Sequence, residues 1–566
     1  MPLLKSKDHK LWSLLAIFNI KKKIYTGIVL LLVLFFFILP IAKLAIISFN
    51  YEGKFSILNY YNILLEDRTW DTLKNTLIIV LSSSLLALII GTTLAWLTAY
   101  TDIRGKKIIK ILLFIPFVIP SYIISLSWIQ LINSAELFSE LSLNIYSYGG
   151  IIFVMGICHC PLIFLMTETV FRKIPRDLEF AGRTCGCSRF KVICKITLPM
   201  AVPGISSGCI LTFLASLSNF GIPAFLGIPA NINVLNTVIY QEIVGFSSNS
   251  FNRAATLASL LGVIALLGSL ILWYFSRKSK ILETFKEDYQ PRIFLGKYRI
   301  IIEIITWLFL LSTSIIPLLA MIKTSVIKAY GLDFIWKNLT LDHYKFILWQ
   351  SNKTISAIKN SLLLAIITTI VCLILGTMIA YYRVRKKTIV SRMIEIVVSI
   401  PYALPGIVFA LAIILIWIEP IPGWSPGIYG TVKLIFIAYI IRFLILQIRG
   451  SITSILQVDI SMEEAARLSG ANLIIRWKEI LWPLLYSGVL GAALLVFVNV
   501  LTELTVSSIL WSSGSETIGV VIFNLEQAGY TSYSTAFSSL IVIMISLCFV
   551  VFNIVNKYSR SGVKTQ

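Results

Sequence analysis

The sequence predicts an all-α polytopic membrane protein of about 12 transmembrane helices, arranged as two parallel six-helix repeats. Three observations carry this. Apolar runs of roughly 20 residues recur along the chain. Lysine and arginine gather in alternate segments between those runs. A set of residues in the first half returns in the second at a nearly constant spacing.

Of the 566 residues, 57% are hydrophobic and 13% charged. A soluble domain carries about 25% charged residues. A run of roughly 20 residues crosses a hydrocarbon core at about 1.5 Å per residue. Such runs predict spans near 24–48, 75–98, 108–132, 150–171, 204–226 and 253–275. A second six follow near 300–323, 358–382, 391–417, 431–449, 484–503 and 534–556. The first is too long for the apolar core of a signal peptide and no small-x-small site follows it, so it is expected to be a span.

The net charge of +22 is large enough to suggest nucleic acid. Its distribution gives another reason. Segments 1–23, 99–110, 171–200, 275–299, 383–392, 449–483 and 557–566 hold 36 of the 49 Lys and Arg residues, while 133–149, 221–252, 418–430 and 504–533 hold none. By the positive-inside rule both termini are expected in the cytoplasm, and no nucleic-acid partner is expected.

The repeat fixes the organisation. Lys74-Asn75-Thr76-Leu77 returns as Lys359-Asn360-Ser361-Leu362, Gly91 and Ala95 as Gly376 and Ala380, and Ile115-Pro116 with Pro120 as Ile400-Pro401 with Pro405, all 285 residues on. Gly186, Ile196 and Pro199 return as Gly470, Ile480 and Pro483 at an offset of 284. Six spans per half give both halves one orientation, hence parallel repeats around a central path. The expected division is a basic N-terminal segment 1–23, a first repeat 24–275, a polar linker 276–299, a second repeat 300–556 and a tail 557–566. The long inner loops are 172–203 and 450–483.

Those loops hold the clearest motif. In the second, Glu464-Ala465-Ala466 is followed by three residues, Gly470, nine residues and Ile480-Leu481-Trp482-Pro483. In the first, Phe180-Ala181-Gly182 leads at the same spacings to Gly186 and Ile196-Thr197-Leu198-Pro199. Small side chains let a short helix approach another surface, a glycine can end it, and an early acid suits its dipole. The spacing resembles the EAA loop of ABC importer permeases, with Phe180, Gly182 and Trp482 as departures. Nearly the whole chain further resembles the fused permeases of the ferric-iron uptake family, in Ala438-Tyr439-Ile440-Ile441-Arg442-Phe443, Met462-Glu463-Glu464-Ala465-Ala466-Arg467, Ser218-Asn219-Phe220-Gly221 and Thr502-Glu503-Leu504.

The resemblance implies a permease subunit in the cell (inner) membrane, served by two copies of an ABC ATPase subunit and an external binding protein, with ferric iron as cargo. It implies that Glu179, Ala181, Gly182, Gly186, Glu463, Glu464, Ala465, Ala466 and Gly470 dock the ATPase. Thiamine, phosphonate and polyamine permeases of the same class are alternatives, and a 12-span secondary transporter is the alternative from another class. No Walker A glycine-lysine pattern occurs. The chain is therefore expected to be no enzyme and to bind no cofactor, with ATP and magnesium used by the partner.

A trivalent cation needs a polar path and oxygen donors. Candidates are Glu503, Asn219, Tyr122, Tyr402 and Arg442. The tyrosines are open to a packing role, Glu503 to facing outer water, and Arg442 to snorkelling, since it lies roughly 10 Å inside its span. Glu168 shares that ambiguity. Cys158 and Cys160 flank His159 but point about 200° apart on a helix, so no metal site is fixed there. Cys185, Cys187 and Cys194 have no nearby histidine and are expected to pack.

Overall fold

The computed structural model describes residues 27, 29–51, 53–134, 144–245, 249–276, 287–418 and 427–563. The expected N-terminal segment 1–23, residues 277–286 of the linker and 564–566 of the tail lie outside these residues.

In chain order the first half holds α1 (Val29–Ser48), a short hairpin of β1 (Asn50–Tyr51) and β2 (Lys54–Phe55), α2 (Asp67–Tyr100), α3 (Lys106–Val118), α4 (Ser121–Ser134), α5 (Tyr148–Lys173), α6 (Arg176–Thr184), α7 (Leu198–Ser218), α8 (Leu235–Val244) and α9 (Ser250–Ser276). The second half repeats the order as α10 (Arg299–Ser314), α11 (Ile316–Ser325), α12 (Asn352–Lys386), α13 (Ile389–Ala403), α14 (Gly406–Trp417), α15 (Val432–Leu456), α16 (Ile460–Leu468), α17 (Trp482–Leu501), α18 (Ile518–Gln527) and α19 (Thr531–Val563).

Among the described residues nine helices are long and apolar enough to cross a membrane, or up to 11 if each of two bent pairs is one span. The predicted tenth span is α15, 25 residues long and carrying Lys433, Arg442 and Arg449. The predicted sixth span of the second half extends further than expected, since α19 runs on to Val563 through most of the expected tail.

Small residues set the packing of each half. Thr72, Thr76, Val80, Ser83, Ala87, Gly91, Ala95 and Thr98 recur every three or four positions along one buried stripe of α2, which lies against α5. Ala357, Ser361, Ala365, Thr368, Cys372, Gly376 and Ala380 do the same for α12 against α15. Without a hydrophobic drive between helices in lipid, such stripes let backbones approach and gain dispersion contacts. α5 also packs on α7, and α15 on α17.

Two predicted spans are not straight. Segment 108–132 is α3 and α4, bent by 103°, and segment 391–417 is α13 and α14, bent by 107°. Ile119 and Leu404 are extended at the breaks, each just before a proline (Pro120, Pro405). The proline ring bars the preceding residue from helical geometry, so the chain turns there. The predicted fifth span of the first half, 204–226, is likewise interrupted. α7 ends at Ser218, and a turn leads into a separate π-turn, Pro223–Gly227.

The halves interlock. α1 packs on α14 of the other half, and α11 on α4 of the first. α9 reaches α14 and α19 reaches α4 in the same reciprocal way.

Candidate functional site

α6 and α16 stand at one end of the bundle, each between two long helices. Asp459 caps α16, its carboxylate accepting from Ser461 N–H at 3.0 Å. That backbone bond holds the Asp459 carboxyl below its usual range. Both helices end alike. Gly186 and Gly470 take φ of +84° and +82°, a left-handed conformation that costs other residues roughly 1–2 kcal/mol. Cys187 N–H then reaches the Gly182 carbonyl at 3.1 Å, and Ala471 N–H the Ala466 carbonyl at 2.9 Å. These six-to-one bonds satisfy carbonyls the helix end would leave open.

Beyond the caps, the acids sort by direction. Glu463 is 5% exposed. It accepts from Arg385 Nε at 2.6 Å and from the Tyr381 hydroxyl at 2.8 Å. Its repeat counterpart Glu179 accepts from the Tyr100 hydroxyl at 2.8 Å, Thr197 Oγ1 at 2.7 Å and Arg292 Nη1 at 3.0 Å. Both carboxylates anchor their helix to its own bundle. Glu464, Ala465 and Ala181 are exposed, Ala466 and Gly182 partly so, and Phe180 replaces Glu464 on the outer side of α6. Leu468 is 90% exposed. A Cβ on Gly182 would lie 2.6 Å from Ile196 Cδ1, so an alanine here would have to displace that terminal methyl.

The two anchors draw their cation from different places. Arg385 lies on α12, whereas Arg292 belongs to residues 287–295, which run as a strap across the base of α6. Arg292 and Ile293 N–H both reach the Tyr100 carbonyl, at 2.8 and 2.9 Å, and Arg292 Nη2 reaches the Ile174 carbonyl at 2.6 Å. Arg176 of α6 pairs with Asp288 and donates to the Gln290 carbonyl at 2.8 Å. Burial pushes the Asp288 carboxyl up, but the hydrogen bonds from Arg176 and the Gln290 N–H and the charges of Arg176 and Arg292 together outweigh it, and the net shift is downward. The second half has no such strap among the described residues.

In the interior, Asn219 and Glu503 occupy one register position of the repeat, 284 apart, just past the ends of α7 and α17. Asn219 Oδ1 accepts from Ile222 N–H and Glu503 Oε1 from Val506 N–H, both at 3.0 Å. Each turn rests on a bend. A Cβ on Gly221 would lie 2.9 Å from Tyr122 N, and one on Gly406 would lie 2.6 Å from Thr505 Cγ2. Tyr122 is buried and stacks on Phe225. Tyr402 is 42% exposed and lies beside Phe443 of α15. Tyr439, which the motif Ala438–Phe443 contained but nothing in the sequence singled out, is buried beside Phe443 on α15, while Glu503 stands in the turn after α17. Asn219 sits at the mirrored position.

Arg442 does not snorkel. It is buried, and its Nη1 donates to the Pro401 and Leu404 carbonyls at 3.3 and 3.4 Å. It satisfies backbone groups released at the bend between α13 and α14. Glu168 is likewise committed, to Arg172 at 2.6 Å and Lys110 at 2.7 Å. His159 meets Ser216 Oγ at 2.9 Å. Among the described residues no group of three or more His, Cys, Asp or Glu side chains is placed to hold a metal ion.

Comparison with known proteins agrees with this architecture. The ferric transport system permease protein FbpB of Actinobacillus pleuropneumoniae is 25% identical over 536 residues, 91% of this chain and 75% of that protein. The Fe(3+)-transport system permease protein FbpB 2 of Haemophilus influenzae is 22% identical over 489 residues, 85% and 89% of the two chains. The molybdate/tungstate transport system permease protein WtpB of Thermococcus kodakarensis is 27% identical over 212 residues, 37% of this chain and 80% of that protein. Residues 87–281 and 372–565, one stretch in each half, both match a single family. The chain therefore belongs to the binding-protein-dependent transport system inner membrane components, with the family's domain present twice.

Proposed function

We propose that this permease forms the membrane path of an ATP-driven importer of ferric iron. Two relatives that align with most of its length are named as ferric or Fe(3+) transport permeases, and this observation carries the reading. An external binding protein delivers the cargo. Two copies of a partner ATPase seat on α6 and α16, whose exposed Ala465, Ala181 and Glu464 offer small and charged contacts on rigidly capped helices. That end, rich in lysine and arginine, faces the cytoplasm together with both termini. The chain contributes no nucleotide site, so ATP and magnesium act on the partner.

The anchors make the mechanism direct. Glu463 ties α16 to α12, and Glu179 ties α6 to α2 and the strap. A displacement of either short helix is therefore passed to a long helix rather than absorbed by a loop. Those long helices pack on α5 and α15, and α15 in turn holds the bend between α13 and α14 through Arg442.

The test is uptake in sealed vesicles holding this chain with its partner ATPase and binding protein. Iron accumulation that requires ATP, with no thiamine accumulation, is expected. Thiamine uptake without iron uptake would overturn the cargo. Uptake that needs no ATP but collapses with an uncoupler would overturn the class in favour of a secondary transporter.

A further inference from the structure

One face of α6 borders a cavity of about 250 Å³. Arg176, Glu179, Phe180 and Arg183 line it, and their i, i+3, i+4, i+7 spacing puts them on a single helical stripe. Pro291 and Phe294 of the strap close a second side, and residues 189–197 a third. Tyr100 also lines the cavity, its ring 4.8 Å from the Arg292 guanidinium.

The charges around this space do not balance. Arg176 is matched by Asp288, and Arg292 by Glu179. Arg183 and Arg189 line the same cavity, are exposed, and have no ion pair or hydrogen-bonded partner for their guanidinium groups among the described residues. Two positive charges thus border one cavity with no carboxylate left to meet them. Its apolar walls are bare as well. Phe180 is 57% and Phe294 75% exposed, and neither ring packs on another aromatic ring among the described residues. The second half does not carry this chemistry: Arg176, Phe180 and Arg189 return 284 residues on as Ile460, Glu464 and Leu473. Nor does the cavity coincide with the small-residue surface of α6, because Ala181 and Arg183 point roughly 200° apart on the helix.

Guanidinium groups grip phosphate through paired hydrogen bonds, and bare aromatic rings offer a surface to an apolar group. Ligand pockets usually span about 300–1,000 Å³, so this one admits a single small group and its phosphate. We propose that the cavity between α6 and the strap binds a phosphate ester carrying an apolar group, its phosphate on Arg183 and Arg189 and its apolar group against Phe180 and Phe294. Such an occupant touches α6, the loop after it and the strap. It therefore braces the first docking helix and leaves α16 alone. The cavity is independent of which cargo crosses the membrane, so failure of the ferric reading leaves it in place.

The test is equilibrium binding of phenyl phosphate to the purified full chain in maltoside detergent. Saturable binding is expected, with amide protection gained in α6 and the strap and none gained in α16. Inorganic phosphate, lacking the apolar group, is expected to bind more weakly. Arg183→Gln combined with Arg189→Gln weakens phenyl phosphate binding about tenfold. Neither arginine holds a carboxylate in place, so the thermal midpoint of that variant stays at the wild-type value. Phe294→Ala weakens binding of phenyl phosphate and not of inorganic phosphate. Lys195→Gln, in the same loop but outside the cavity lining, changes neither. Added phosphatidylglycerol separates two sources of the same chemistry: displacement of phenyl phosphate assigns the site to a lipid headgroup, and undisturbed binding assigns it to a soluble ester. Absence of saturable phenyl phosphate binding, or binding by the double arginine variant at wild-type strength, overturns the site.

Discussion

Glu463 and Glu464 are neighbours in sequence and opposites in structure. About 100° apart on one helix, the first turns toward Arg385 and the second toward solvent. Replacing one partner of a buried ion pair leaves the other charge uncompensated, at a cost of about 3–5 kcal/mol. Glu463→Gln is therefore expected to lower the thermal midpoint of the purified chain clearly, because Arg385, 12% exposed at the side chain, keeps its charge without a carboxylate. Glu464→Gln is expected to shift stability by no more than about 0.5 kcal/mol, and to act only on pairing with the ATPase. Equal midpoints for the two variants would show that the anchor contributes nothing. The sequence marks this acidic pair as a motif. It does not show which acid points inward, because that depends on Arg385 and Tyr381, some 80 residues earlier.

At the scale of elements, composition located the long helices well and their directions poorly. Hydropathy registers 108–132 and 391–417 as continuous apolar runs and is blind to a right-angle turn inside them. The paired prolines hold the missing information, through the restriction they place on Ile119 and Leu404 rather than through a mild kink. The end of α7 at Ser218 was hidden because Phe220, Ile222 and Ala224 keep the run apolar past the turn. At the end of the bundle opposite α6, the start of α2 is clamped to α9. Arg253 donates to both oxygens of Glu66, at 2.6 and 2.8 Å, and to Glu242 at 3.3 Å. The Arg253 hydrogen bond holds the Glu66 carboxyl below its usual range. A depressed carboxyl stabilises the fold above the unfolded value, about 4.3, and that contribution is lost as pH falls through the folded value. With both side chains about a third exposed, the clamp contributes about 0.5–1 kcal/mol. Glu66→Gln is thus expected to lower the unfolding midpoint at pH 7 and to match wild type near pH 3. A constant difference across that window would refute the clamp.

Over the whole molecule, the duplication was legible down to the slip from 285 to 284, and the family match starts and ends 285 and 284 residues apart in its two stretches. The reciprocal packing of α1 on α14 and α11 on α4 was not, since repeat spacing says that halves are alike and nothing about how they embrace. Nor was the asymmetry at the α6 end. Arg292 was one cation among seven in a charged linker, while its functional equal, Arg385, lies on a span of the other repeat. Arg292→Ala is expected to raise amide hydrogen exchange in α6 and leave α16 unchanged, and Arg385→Ala to do the reverse. Equal effects of either variant on both helices would mean that the anchors are not independent.

The strap also decides where this polypeptide tolerates being divided. Residues 287–295 follow the first repeat, contact that repeat, and then run straight into α10. A break near residue 280 would hand the brace for α6 to the wrong fragment, whereas a break just before α10 would let each fragment leave synthesis with its own docking helix already secured.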